Sequence, residues 1–230
     1  MCCPDVLRIY SLLRKRFGFQ NWWPGDTADE ILIGAVLTQQ TSWNNVEKAL
    51  RNLKAAGALS VEAVSAIGIG RLERLIKPSG FYRQKARRLK SLCSKIMSYG
   101  SLEGFFSMPI GELRRELLGL SGIGPETADS IILYAAGKPS FVIDAYTRRA
   151  MERICGVGAS ESYEELQEYF SSRIRRSTKL YKDMHAQFVE LCKHYCKKSE
   201  PICAECPLRR YCSFGRARLG RAKNGAAHPE

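Results

Sequence analysis

The chain has 230 residues, 45% of them apolar, with ten Tyr and nine Phe, which is enough to bury a core and too aromatic for a disordered segment. A surplus of 36 Lys+Arg over 23 Asp+Glu leaves a net charge of +13, pointing to a polyanionic partner, nucleic acid or an anionic membrane surface, and away from an enzyme of small neutral metabolites. No apolar run approaches the roughly 18 residues of a membrane span, and Met1-Cys2-Cys3-Pro4-Asp5 lacks a signal-peptide pattern, so the chain reads as soluble and intracellular.

Apolar residues recur at three- and four-residue steps almost throughout, which predicts helices rather than strands. The first helix is expected over 5–16. Thr27-Ala28-Asp29-Glu30 reads as a capping box ahead of the apolar run Ile31 to Leu37. Further helices are expected over 43–56, 60–66, 69–77, 82–98, 110–118, 125–136 and 143–154. Ser162-Tyr163-Glu164-Glu165 is a second capping box before Leu166, Tyr169 and Phe170, and a last helix is expected over 181–196. Gly57, Gly100, Gly137 and Gly156 mark stops. There is no repeat or low-complexity tract, and Arg216 to Glu230 is polar enough to fray. The fold class is all-α, with about ten helices.

Leu120-Ser121-Gly122-Ile123-Gly124-Pro125-Glu126-Thr127-Ala128 places two glycines around one apolar residue, directly before a helix with Pro at its first position. Backbone N–H groups at a helix start, with no Cβ on Gly122 or Gly124 to obstruct, suit a phosphate, although a bare G-x-G is also an ordinary turn. The basic composition and the following Ile131, Ile132, Leu133, Ala135 and Ala136 favour a helix-hairpin-helix that grips DNA backbone. About twenty residues on, Asp144 follows the apolar Phe141-Val142-Ile143, where a new helix would begin and where most Asp residues serve as N-caps.

The hairpin followed at this distance by Val-Ile-Asp144 resembles the helix-hairpin-helix (HhH-GPD) DNA glycosylases of the endonuclease III superfamily, and the resemblance runs over most of the chain. It implies a catalytic role for Asp144, whose carboxylate can stabilise the oxocarbenium-like state of glycosidic cleavage. Ala35-Val-Leu-Thr-Gln-Gln40 is similar to the family's segment whose Gln fills the gap left by a flipped nucleotide, which assigns that part to Gln40. Ile76-Lys-Pro-Ser-Gly-Phe-Tyr-Arg-Gln-Lys-Ala86 is similar to its G-x-x-x-x-K-A helix–turn–helix. Gly122, Gly124 and Thr127 of the hairpin are the implied phosphate-binding positions. Bifunctional relatives carry a Lys directly before the Thr-Ala of the hairpin helix, where this chain has Glu126, implying a monofunctional glycosylase without lyase activity. Nothing places nearby Lys138 at the sugar.

Nine cysteines are unevenly spread, and an odd count without an export signal makes a poor disulfide framework. Cys196, Cys203, Cys206 and Cys212 lie within seventeen residues and could hold a tetrahedral metal or a cubane cluster. Zinc is the generic reading, but its knuckles are tight at both ends, and only Cys203-x2-Cys206 is tight here. The C-x6-C-x2-C-x5-C spacing resembles the [4Fe-4S] loop of endonuclease III-like glycosylases, which implies that cofactor at 196–212, pinning a loop that brings Lys197 and Lys198 to the phosphates. Cys192 falls outside the pattern and reads as a packed thiol. From Leu191 to Glu230 nine Lys/Arg stand against three acids, so +6 of the +13 lies in this stretch.

Trp22, Trp23 and Trp43 are the only tryptophans. Any one of them could be core. The pattern Trp-Trp-Pro…Ala-Val-Leu-Thr-Gln…Glu-Thr-Ala-Asp-Ser-Ile…Val-Ile-Asp is similar to the 3-methyladenine branch of the superfamily, which implies that these rings line a base pocket and stack a cationic alkylated purine. Two departures stand: known members of that branch lack the cluster cysteines, and the Lys on their late helix corresponds most nearly to Gln187, beside His185.

The expected architecture is two helical lobes with a DNA cleft between them. A six-helix barrel over 26–139 carries the hairpin, and 1–25 with 140–230 forms a second lobe holding the cluster. The expected partner is double-stranded DNA containing a damaged base, bound by a monomer without membrane attachment, in the cell and associated with DNA. A mismatch uracil/thymine or oxidised-pyrimidine glycosylase is the alternative within the class, and a non-catalytic iron–sulfur damage sensor the alternative outside it.

Overall fold

The computed structural model describes residues 4–225; Cys2, Cys3 and the end of the expected frayed tail, 226–230, lie outside the described residues. Every regular element among the described residues is helical. In chain order these are α1 (Val6–Phe17), α2 (Ala28–Leu37), α3 (Trp43–Ala55), α4 (Val61–Ala66), α5 (Ile69–Ile76), α6 (Tyr82–Met97), α7 (Leu102–Ser107), α8 (Ile110–Leu118), α9 (Pro125–Ser130), α10 (Ala145–Cys155), α11 (Tyr163–Ser171), α12 (Thr178–His194) and α13 (Ser213–Gly225). A 3-10 turn, Lys77–Ser79, follows α5, and a π-helical segment, Ile131–Ala135, continues α9. No helix among the described residues is long and apolar enough to cross a membrane.

Local signals account for most boundaries. Thr27 Oγ1 accepts from the Glu30 N–H at 3.2 Å, but Glu30 Oε2 accepts from the Asp26 N–H at 3.1 Å rather than from Thr27, so the first box is only half formed. At Ser162 the box is complete. The late helix starts at Thr178, three residues earlier than expected, because Ser177 caps it through Leu180 N–H. Two helices escape the periodicity. α7 is only six residues long, capped by Ser101. α13 runs from Ser213 to Gly225, through most of the stretch read as frayed.

The chain divides into two compact units, Trp23–Ser140 and Met1–Trp22 with Phe141–Glu230. In the first, α2 is the central helix: Leu32, Ile33, Gly34, Ala35, Val36 and Leu37 are all buried, which explains why this run has no polar face. It packs against α3, α6 and the π-helical segment, and α6 packs in turn on α4 and α5. A buried carboxylate braces the hairpin: Asp129 accepts from Arg114 Nε at 3.0 Å and from Ser140 Oγ at 2.6 Å. In the second unit α12 packs on α1 and α10, and α13 on α10. Phe141 stacks on Phe170 at 4.3 Å. Buried Asp183 joins α12 to α1, accepting from Tyr10 Oη at 2.6 Å, Arg14 Nη1 at 2.9 Å and the Gln20 N–H at 2.8 Å.

Candidate active site and nucleic-acid interface

Within Trp23–Ser140 the hairpin turns at Leu120–Gly124, with Ile123 buried and its N–H donated to Leu120 O at 3.0 Å. Gly122 adopts φ 82°, and a Cβ there would lie 2.1 Å from Arg88 Nε, so both backbone and packing demand glycine. Arg88 therefore fills the space expected to stay open at Gly122. Gly124 differs: a Cβ on it would meet nothing of the chain within 4 Å. The Thr127 side chain points inward, its Oγ1 accepting from Gln39 Nε2 at 3.0 Å. Gln39 Nε2 also donates to Gly122 O at 2.9 Å, and Arg88 Nη1 donates to Gln39 Oε1 at 2.6 Å. The contact between Gln39 and Arg88, which the sequence did not reveal, thus ties the segment after α2 and α6 to the hairpin.

Gln40 is exposed beside this tie, at φ 53°. Phe81, 58% exposed, stands at φ 46° before α6. Non-glycine residues in the left-handed region cost on the order of 1 kcal/mol or more and cluster at working sites. Both line one open pocket with Gln84, Arg88, Gly124 and Glu126. The third such residue, Glu200, belongs to the cysteine loop.

The tryptophans separate. Trp23 and Trp43 meet edge to face at 5.5 Å, and Trp23 packs on Tyr134 of the π-helical segment at 5.2 Å. Trp43 Nε1 donates to Glu47 Oε1 at 2.8 Å, and Trp43 lines an open pocket with Pro24, Glu30, Glu47, Arg51 and Lys54. Trp22 belongs to the other unit, where Lys193 Nζ lies 4.7 Å over its ring.

In that unit Asp144 caps α10, its Oδ1 accepting from the Thr147 N–H at 2.7 Å. Its Oδ2 lies 3.5 Å from His185 Nε2 on α12, and only 13% of the side chain is exposed. Burial works against the carboxylate, but the His185 imidazole and the Thr147 hydrogen bond outweigh it and hold the carboxyl below the usual aspartate range. The capping and functional readings are therefore compatible: one oxygen caps, the other faces an imidazole. No local pattern singled out His185, which sits between buried Met184 and Ala186. Gln187 is fully buried and donates to Gly18 O at 2.7 Å, holding the end of α1. Lys138, in the other unit, donates its Nζ to Met108 O.

Cys196, Cys203, Cys206 and Cys212 are free thiols lining one small cavity, with Arg153, Tyr195, Arg209 and Phe214 beside them. Among the described residues no three His, Cys, Asp or Glu side chains are drawn close enough to hold one metal ion. Cys212 Sγ accepts from the Gly215 N–H at 3.3 Å, and Arg153 Nη1 approaches Cys196 Sγ at 3.5 Å. The Cys192 thiol beside it, with Arg153 and Arg149 behind, holds Cys196 at about 6. The donor set, four thiols around one cavity with N–H groups aimed at sulfur, fits an iron–sulfur cluster. Cys192 itself donates to Tyr146 O at 3.4 Å and is absent from the cavity wall. Lys197 and Lys198 are exposed, their carbonyls accepting from Arg153 at 2.7 and 3.0 Å.

An open hairpin glycine, an exposed glutamine and, about twenty residues further along the chain, an aspartate held below its usual range are the features to set beside known proteins. Residues 33–176 match the model of the HhH-GPD superfamily of base excision DNA repair proteins, and the chain belongs to that superfamily. It is a DNA base-excision repair glycosylase. A Methanocaldococcus jannaschii protein provisionally named a DNA repair glycosylase is 41% identical over 90% of this chain and 95% of its own length. A Helicobacter pylori 3-methyladenine DNA glycosylase bound to 1,N6-ethenoadenine superposes with a TM-score of 0.74 at 32% identity, covering 82% of this chain and 97% of the other. An endonuclease III from a non-covalent DNA complex superposes with a TM-score of 0.78 at 25% identity, over 94% and 97% of the two chains.

Proposed function

We propose that this glycosylase is monofunctional and removes an alkylated purine such as 3-methyladenine from duplex DNA. The observation that carries the reading is Trp43: a half-buried indole whose N–H is bound by the Glu47 carboxylate and which lines a pocket with Glu30, Glu47, Arg51 and Lys54. The acids and bases of that lining balance, so the preference rests on the electron-rich ring, which favours stacking on a base bearing positive charge. Similarity to a 3-methyladenine glycosylase over 82% of this chain points the same way. Trp23 supports Trp43 from the edge.

Catalysis on this reading rests on Asp144. Its ionised carboxyl stabilises positive charge growing on the sugar and orients the attacking water. Gln40 fills the gap left by the extruded base, and the exposed ring of Phe81 supports the opened stack. The Gly124 amide receives a phosphate, while Gly122 and Thr127 shape the hairpin through Arg88 and Gln39. Glu126 occupies the position of the nucleophilic lysine of bifunctional relatives, and Lys138 is engaged with Met108 O, so neither position offers an amine to the sugar. Cys196, Cys203, Cys206 and Cys212 would hold a [4Fe-4S] cluster, which would supply a structural cross-link to the loop that carries Lys197 and Lys198.

Wild type should release 3-methyladenine from methylated duplex, Asp144→Asn should not, and borohydride should fail to trap the protein on an abasic duplex. Release of uracil or thymine glycol, or efficient trapping, would move the assignment to the endonuclease III type, and base release unaffected by Asp144→Asn would remove Asp144 from the chemistry. Purified protein should be brown and contain iron and sulfide; a colourless zinc protein would overturn the cluster.

A further inference from the structure

Lys85, on α6, is a lysine in the core, 1% exposed. Its Nζ donates to Leu37 O at 2.8 Å and to Ser79 O at 2.6 Å, lengths typical of charge-assisted bonds. Keeping an ammonium in such a place is costly. Burial, with the Arg88 charge behind it, brings Lys85 down to about 8. The two carbonyls show what the cation does there. Leu37 closes α2, three residues before Gln40, and Ser79 ends the 3-10 turn, two residues before Phe81. Those are the two strained residues of the pocket, at φ 53° and 46°, and Lys85 lines the pocket behind them. Strained conformations persist only where the surroundings over-determine them. The Arg88–Gln39 bond restrains the glutamine side alone, whereas Lys85 holds both loops from one atom.

We propose that Lys85 is the positioning residue that holds Gln40 and Phe81 together in their strained, outward poses, so that both enter the duplex as one preassembled unit. The inference rests on the reading that this pocket meets opened DNA, and its test separates the two. A duplex carrying 2-aminopurine opposite a stable abasic-site analogue is titrated to saturation, and its fluorescence change and the affinity preference for this duplex over an intact one are recorded. Gln40→Ala and Phe81→Ala should each reduce the signal; if neither does, the functional reading of the pocket fails whatever Lys85 does. Given that reduction, Lys85→Met should lower the preference for the abasic duplex about tenfold. Lys85→Gln, whose amide can still donate to a carbonyl, should fall between Lys85→Met and wild type. Wild-type signal and preference in both Lys85 variants would overturn the proposal. So would failure of both to fold by circular dichroism, since Lys85 would then be a core strut.

Discussion

Burial and charge pull the Asp144 carboxyl in opposite directions, and the outcome depends on one neighbour. His185 and the Thr147 N–H hold it below the ordinary aspartate range despite its burial. A folded value below the unfolded one contributes stability that is present above the ordinary carboxylate range and lost as pH falls through the depressed value. Base release that requires the carboxylate should therefore keep its full rate through mildly acid pH. His185→Gln removes the imidazole that faces Asp144 Oδ2 and leaves the burial, so the acid limb of single-turnover release should move upward. A limb coinciding with that of wild type would show that His185 does not tune Asp144. Asp144→Asn keeps the size and loses the charge, and should lower the rate about a hundred- to a thousandfold. The sequence motif marked Asp144, but not its partner: His185 is 41 residues away on another helix, and a contact at that distance leaves no trace in local periodicity. Gln39 and Arg88 were hidden for the same reason, being joined across 49 residues.

At the scale of elements, the two hairpin glycines make opposite demands. Ala at Gly122 would force a side chain into φ 82° and bring its Cβ within 2.1 Å of Arg88 Nε, costing about 1–3 kcal/mol. It would also loosen Gln39 from the hairpin. Ala at Gly124 meets no atom of the chain, so stability should stay within about 0.5 kcal/mol of wild type, while DNA affinity drops several-fold because the methyl stands where a phosphate oxygen would approach. Thermal melts beside fluorescence-anisotropy titrations separate the two. Wild-type affinity in Gly124→Ala would remove the amide–phosphate contact. Most helices were legible because apolar spacing and caps agree, as at Ser162 with its complete box. α7 was not, since six residues with an internal glycine carry too little period. α13 was not, since its arginines and glycines read as solvated coil. The π-helical segment was read as plain α-helix, because which carbonyl an N–H selects leaves no mark on composition; it carries Tyr134, which packs on Trp23.

For the whole molecule, the proposed function assigns the charge of +13 and the selectivity for a lesion to different residues. Phosphate contacts release counterions, so affinity for any duplex should fall steeply with salt. The lysines beside the cysteines are the sharpest place to test this. Lys197 and Lys198 are exposed, and Arg153 holds their backbone by two hydrogen bonds, so replacing their side chains leaves the loop's own ties intact. Lys197→Ser with Lys198→Ser should reduce the slope of log affinity against log salt by about one per lysine that meets a phosphate, equally for damaged and intact DNA. Trp43→Ala should do the reverse: an unchanged slope, with the preference for an alkylated duplex eroded, since an aromatic face reads the base and not the backbone. A slope that stays put in the double lysine variant would detach this stretch, which carries +6, from the phosphates. A slope that shifts in Trp43→Ala would mean that the indole acts through the backbone-binding surface, and the separation of affinity from recognition would fail.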